Sequence, residues 1–318
     1  MQTQDEMTVA AAQIAPVWGN RAATLDKVSE YVTNAAARGA ALVAFGEGLV
    51  PGYPFHLELT GGASFDDPEQ KRMHAHYIDQ AVVIERGDLD ALCRLCAERK
   101  VAVYLGIIER AGDRSGYTLY ASFVYIDPDG TIGSVHRKLM PTYEERLAWG
   151  IGDGHGLRVH KLRGFTVGGL NCWENWMPMA RASLYAQGED LHVAGWPGGL
   201  HNTQDITRFV AREGRLFMIS ASGLMRPSDY SADTPLLDQI LDQAGPLLAT
   251  GGSAIAGPDG HWIAEPAGPE ETIVLAELDL ARVREERQNF DPTGHYSRPD
   301  VFQLNVNRKR QTGFHFDD

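Results

Sequence analysis

The chain has 318 residues, with 29 Lys and Arg against 42 Asp and Glu, a formal net charge of −13. That balance excludes a nucleic-acid binder driven by phosphate neutralisation, and three cysteines in a chain this long exclude a disulfide framework. The odd thiol count and an acidic amino terminus ahead of the first apolar stretch point to a reducing compartment, the cytoplasm; no apolar run approaches the roughly 20 residues that span a bilayer.

Residues 7–15 read as a strand. Asn20 then stands as N-cap of a helix in which Leu25, Val28 and Val32 recur at helical spacing until Gly39 stops it. Residues 41–45 form a short buried-type strand, and a Gly- and Pro-rich loop follows over 46–54. Helical pattern covers 68–84 and 88–99, and strands cover 101–108 and 117–126. The turn Asp127-Pro128-Asp129-Gly130 joins the last of these to a strand over 131–136, so the sheet cannot be purely parallel.

The second half repeats the plan. A strand over 165–170 ends at Asn171-Cys172, followed by a helix over 179–187, a strand over 191–194, a helix over 203–213 and a strand over 216–220. A hairpin, 253–256 and 262–264, turns at Pro258-Asp259-Gly260, and 272–278 is the last strand. Gly39-x-x-Leu42 echoes Gly188-x-x-Leu191, and the two Pro-Asp-Gly turns echo each other. Both echoes suggest two similar α/β halves, packed sheet against sheet with helices outside. After about residue 291 the chain turns polar, a tail either frayed or docked on a neighbour; its Arg308-Lys309-Arg310 patch is expected to be solvated.

Three residues follow strands, where α/β folds place reactive groups. Glu47 follows ALVAFG, Lys138 ends TIGSVHRK and Cys172 follows FTVGGLN. Taken singly, each has a plain alternative: a buried ion-pair partner, a surface lysine, a small core residue. Together they are a minimum kit for attack on a carbon–nitrogen bond. A thiol needs a group to take its proton, which Glu47 could be, and the electrophile needs a cation against its developing charge, which Lys138 could be. Cys93-x-x-Cys96 lies within a helical pattern without a second pair and reads as helix packing. The glycine-rich run over 150–156 lacks a phosphate-loop ending and reads as a loop near the site or at an interface.

The segments AFGEGLVPGYPF, HRKLMPTYEERLAWGIGDG, GGLNCWENWMPMARASLYAQG, VAGWPGG and DPTGHYSRPDVFQLNVNR resemble the nitrilase branch of the carbon–nitrogen hydrolase superfamily. The resemblance implies an α/β fold, an αββα sandwich of two mixed sheets with helices outside. It implies one domain over 1–290 and a C-terminal tail, 291–318, at an oligomer interface of a homodimer or a longer spiral. It assigns Glu47 as general base, Lys138 as cationic stabiliser, Cys172 as nucleophile and Glu145, or its neighbour Glu144, as a second glutamate beside the lysine. The sequence departs from the family at Gly46, Gly48, Asn171 and Trp176, which flank the site without removing a catalytic group.

The segment CWENWMP tilts the expectation towards nitriles, hydrolysed to acid and ammonia without metal or cofactor. An amidase, a cyanide-hydrolysing relative and a silent assembly scaffold are the alternatives. Tyr53, Trp173 and Trp196, with Trp176, are candidates for an apolar wall suited to an aryl or arylalkyl nitrile.

Overall fold

In the computed structural model, which describes residues 4–313, strands and helices alternate along the chain. The first half carries β1 (Glu6–Gln13), β2 (Ala40–Ala44), β3 (Ala102–Arg110), β4 (Leu119–Ile126) and β5 (Ile132–Arg137). The second carries β6 (His160–Leu162), β7 (Phe165–Asn171), β8 (Leu191–Trp196), β9 (Phe217–Ser222), a ribbon of β10 (Leu224–Met225) and β11 (Ala249–Thr250), then β12 (Ala254–Ala256), β13 (Trp262–Ala264) and β14 (Thr272–Asp279). They assemble into two six-stranded sheets, β14-β1-β2-β3-β4-β5 and β13-β12-β9-β8-β7-β6.

The two sheets share one topology. β1, β2 and β3 are parallel and continue antiparallel into β4 and β5. β7, β8 and β9 are parallel and continue antiparallel into β12 and β13. The echoes in the sequence fall at equivalent places: Gly39 and Gly188 enter β2 and β8, and the Pro-Asp-Gly turns close the hairpins β4–β5 and β12–β13.

Side-chain alternation makes the layers. Val9, Leu42, Tyr104 and Phe123 of the first sheet meet Phe165, Val193, Phe217 and Ile219 of the second. On the outer face of the first sheet, Val28 and Val32 from the helix Arg21–Ala37 and Leu92 and Cys96 from the helix Asp90–Arg99 pack on Ala10, Val43 and Val103. Outside the second sheet, Ile206 and Val210 from the helix Leu200–Gly214 cover Trp196 and Met218, while Ala180 and Leu184 from the helix Pro178–Tyr185 cover Leu170. The result is the expected αββα sandwich. Because both faces of each sheet are covered, its central strands are near-continuous apolar runs.

Local signals hold where expected. The Asn20 side chain accepts the Ala23 N–H and opens the first helix. The helix expected over 68–84 ends at Gln80, because Val82 leaves it to exchange backbone hydrogen bonds with Ile108 and Arg110 beside β3. The tail from 291 runs along its own chain. Arg310 pairs with Asp153 at 3.0 Å and Arg308 reaches Gln187 at 3.0 Å, while Arg308 and Lys309 stay exposed, as expected of a solvated patch. Among the described residues, no helix is long and apolar enough to cross a membrane.

Candidate active site

The ends of β2, β5 and β7 deliver the three strand-end residues to one place. Glu47 lies three residues beyond β2, and its backbone N–H donates across the sandwich to the Trp196 carbonyl at 3.1 Å. That crossing explains Gly46: a Cβ there would stand 2.6 Å from the Trp196 oxygen and 2.9 Å from the Gly223 nitrogen. Lys138 follows β5, its N–H bound to Ala121 O at 2.8 Å, and its carbonyl accepts Gly152 N–H at 2.9 Å. The glycine-rich loop thus packs against the strand end that carries the lysine.

Cys172 follows β7 at the start of a 3-10 turn, with φ 48°. A left-handed backbone costs a non-glycine residue roughly 1–2 kcal/mol. Glu47, Lys138, Glu145 and Cys172 are all buried, each at 2% exposure or less.

Lys138 Nζ lies 2.8 Å from Glu47 Oε1 and 2.7 Å from Glu145 Oε2. One oxygen each of Glu47 and Glu145 and the Cys172 sulfur lie within 4.8 Å of one another. Such a set could attract a cation, and the lysine ammonium supplies that charge between the two carboxylates. Glu145, and not Glu144, reaches the lysine. Its other partners are the Thr142 N–H at 2.6 Å and the Tyr53 hydroxyl, which donates to Oε1 at 2.6 Å. Lys138 aside, both Glu47 oxygens are buried without a partner among the described residues.

That asymmetry divides the roles. Glu145 is a saturated carboxylate, held as an anchor for Lys138. Among the described residues the Glu47 carboxyl holds only Lys138, through Oε1, and it lies beside a thiol. Burial pushes Glu47 up to about 8, with Lys138 opposing and Glu145 adding to the shift. Burial, with Glu47 next, also raises the Cys172 thiol well above its usual range, against the pull of Lys138. Burial works against the Lys138 ammonium, but Cys172, Glu47 and Glu145 outweigh it and hold the lysine charged. The Cys172 thiol is therefore neutral at rest and would need a base to become reactive, and the Glu47 carboxyl stands beside it.

The candidate wall residues separate. Tyr53 is in the site through Glu145, and its ring meets Phe55 at 4.6 Å and Trp149 edge-on at 5.5 Å. Trp173 is half exposed and pairs with Trp176 at 6.2 Å on the outside. Trp196 is wholly buried under the helix Leu200–Gly214, with Nε1 donating to Ser220 Oγ at 3.2 Å; what it contributes to the site is its carbonyl. Sequence reasoning missed Trp149, whose ring faces Lys138 Nζ at 5.6 Å, and Glu174 and Asn175, which lie behind Cys172.

Residues 8–288 match the family described as carbon-nitrogen hydrolase. The chain belongs to the carbon–nitrogen hydrolase family, in its nitrilase branch. It is 34% identical to an aliphatic nitrilase of Rhodococcus rhodochrous over 96% of this chain and 83% of that one. It is 37% identical to a bromoxynil-specific nitrilase of Klebsiella pneumoniae subsp. ozaenae over 95% of this chain and 85% of that one. A crystal structure of a carbon-nitrogen hydrolase from Helicobacter pylori G27 shares the fold with a TM-score of 0.69, at 20% identity, over 93% of this chain and 96% of that one.

Proposed function

We propose that this nitrilase-family enzyme hydrolyses an organic nitrile to the carboxylic acid and ammonia through a covalent adduct on Cys172. The observation that carries the proposal is the buried cluster in which the Cys172 thiol meets Glu47, with Lys138 bridging the Glu47 and Glu145 carboxyls. The names of the curated relatives support nitriles as the substrate class.

Glu47 takes the thiol proton as sulfur bonds to the nitrile carbon, and returns it to the nitrogen, giving a thioimidate. Lys138 Nζ stabilises the charge gathering on that nitrogen. Glu47 then takes a proton from water as the water oxygen adds to the carbon and delivers it to the imine nitrogen; the remaining hydroxyl proton passes to that nitrogen as the carbon–nitrogen bond breaks, and ammonia leaves. A second water cleaves the thioester, releasing the acid and restoring the thiol. Two waters are consumed per nitrile, and an amide escapes if the tetrahedral intermediate expels sulfur first.

The substrate class inferred is an aryl or arylalkyl nitrile. The rings of Tyr53, Phe55 and Trp149 gather beside Glu47, and Leu49 and Met225 join Tyr53 and Phe55 around a small cavity there. At about 10 Å³ that cavity holds one water, so a ring enters by displacing these side chains. We further infer a cytoplasmic homodimer or longer spiral, with one domain over 1–290 and the tail from 291 at the interface.

The test is product analysis. Ammonia and acid are measured from phenylacetonitrile, benzonitrile, an aliphatic dinitrile, an amide and cyanide. Acid formation from a nitrile, lost in Cys172→Ser, is expected. Near-normal nitrile turnover by that variant would sink the covalent scheme, and equal rates on the three nitriles would refute the aromatic preference.

A further inference from the structure

Behind Cys172 runs a buried polar chain that the hydrolytic scheme leaves unused. Asn175 Nδ2 donates to the Cys172 carbonyl at 2.8 Å and reaches the Leu170 carbonyl at 3.4 Å. Asn175 Oδ1 lies 2.8 Å from His192 Nε2, and His192 Nδ1 lies 2.9 Å from Glu189 Oε1. Asn175, His192 and Glu189 are fully buried.

The hydrogens on this chain follow from its acceptors. Two carbonyl oxygens face one end of the Asn175 amide, so that end is the NH₂ and Oδ1 faces the histidine. His192 Nε2 must then carry a hydrogen. In a neutral ring Nδ1 is then a bare lone pair facing Glu189, and the contact needs a second proton, either on the glutamate or on the ring. Among the described residues Glu189 Oε2 is buried without a partner, which suits a carboxylic acid better than a carboxylate. Burial raises Glu189 above the usual carboxylate range; His192 and Arg287 oppose this and Asp190 adds to it, while the Tyr104 and Tyr185 phenols also lie close enough to feel its charge. Loss of the shared proton would leave the Glu189 carboxylate facing the Nδ1 lone pair. The ring would escape this by moving its hydrogen to Nδ1, which sets lone pair against lone pair at Asn175.

We propose that Asn175, His192 and Glu189 are positioning residues: one proton shared by Glu189 and His192 keeps the Nε2–H on Asn175, whose amide clamps the Cys172 carbonyl and holds the nucleophile in its left-handed conformation. The proposal rests on Cys172 being the nucleophile of the function above. Its test therefore has two readouts, kcat and KM on a nitrile the wild type turns over and the rate of Cys172 alkylation by iodoacetamide, with thermal melting as a control.

Asn175→Ala and Glu189→Leu are expected to lose about tenfold or more in kcat and in alkylation rate, the range for a lost buried hydrogen bond, with KM held. Glu189→Gln, whose amide N–H donates to Nδ1 as the acid does, is expected to keep both rates within about threefold of wild type. A folded Asn175→Ala with wild-type rates overturns the proposal, as does Glu189→Gln falling as far as Glu189→Leu. Where Asn175→Ala does not fold, the two Glu189 variants decide. If no nitrile is turned over, the proposed function fails while alkylation still judges the clamp.

Discussion

Glu174 Oε1 accepts the backbone N–H of Leu139 at 2.6 Å. The same carboxylate accepts the Asn171 N–H at 2.8 Å and lies 3.0 Å from His136 Nε2. Leu139 follows Lys138 and Asn171 precedes Cys172, so one buried side chain sets the spacing between Lys138 and Cys172. The two come from different sheets, β5 and β7, and nothing within either strand would fix their separation.

Replacing Glu174 by Gln puts an NH₂ in place of one carboxylate oxygen, so either the Leu139 or the Asn171 N–H loses its acceptor. The expected cost is about 3 kcal/mol, in the range for breaking a buried charge pair, read by denaturant unfolding, with a fall in kcat. Burial raises the Glu174 carboxyl, but His136 and the Leu139 and Asn171 amides outweigh it, and the net shift is downward. A depressed carboxyl stabilises the fold above its unfolded value and loses that contribution as pH falls through its folded value. The stability gap between wild type and Glu174→Gln is therefore expected to be full at neutral pH and to shrink below the ordinary glutamate range. A gap that widens with acid would refute the assignment.

The pH dependence of turnover follows from Glu47. Its carboxyl is raised to about 8, and only the carboxylate can take the thiol proton. kcat/KM is therefore expected to rise with pH through about 8 and to stand about tenfold below its plateau one unit lower. Initial rates on one nitrile from pH 6 to 10 check this, and a flat profile below 8 removes Glu47 as the base. Glu47→Gln is expected to abolish turnover at every pH.

Removing the Tyr53 hydroxyl tests the anchor. Tyr53→Phe leaves Glu145 Oε1 without its 2.6 Å donor, while Lys138 and the Thr142 N–H still hold Oε2. A hydrogen bond to a charged group contributes roughly 1.5–3 kcal/mol, so kcat is expected to fall about tenfold or more. Tyr53→Phe with wild-type kcat would show that Glu145 needs no third donor.

Much of the fold and the site was legible in the sequence, for physical reasons. The strands of a doubly covered sheet are apolar on both faces, so β1, β2, β3, β7 and β8 announce themselves. Glu47, Lys138 and Cys172 stand out because polar residues directly after such runs demand an explanation. The stretch just past Cys172 was less legible. The turn Cys172–Trp176 is 3-10, neither helix nor strand, so no periodicity says that Glu174 and Asn175 point inward while Trp173 and Trp176 point out. Trp196 ends β8, and its ring lies on the outer, helix-covered side, a choice of face that only the register of β8 between β7 and β9 settles. The two-residue strands β10 and β11 are too short to carry any alternation.

The tail carries the last prediction. A groove of about 530 Å³ runs between the helix Pro178–Tyr185 and the tail, lined by Met179, Pro292, Tyr296, Phe302 and Leu304 among others. Phe302 is 78% exposed, Met179 66% and Tyr296 62%. Apolar groups gathered on one exposed face suit the association surface proposed for the tail, since burying them against a second copy would contribute about 25 cal/mol per Å². The tail itself is tied to its own chain through Arg310 and Asp153, which leaves these side chains facing outward. Phe302→Glu places a charge there without touching the catalytic cluster. It is expected to shift the protein to a smaller species by light scattering while the monomer keeps its melting behaviour. An unchanged mass in Phe302→Glu would take the tail out of the interface.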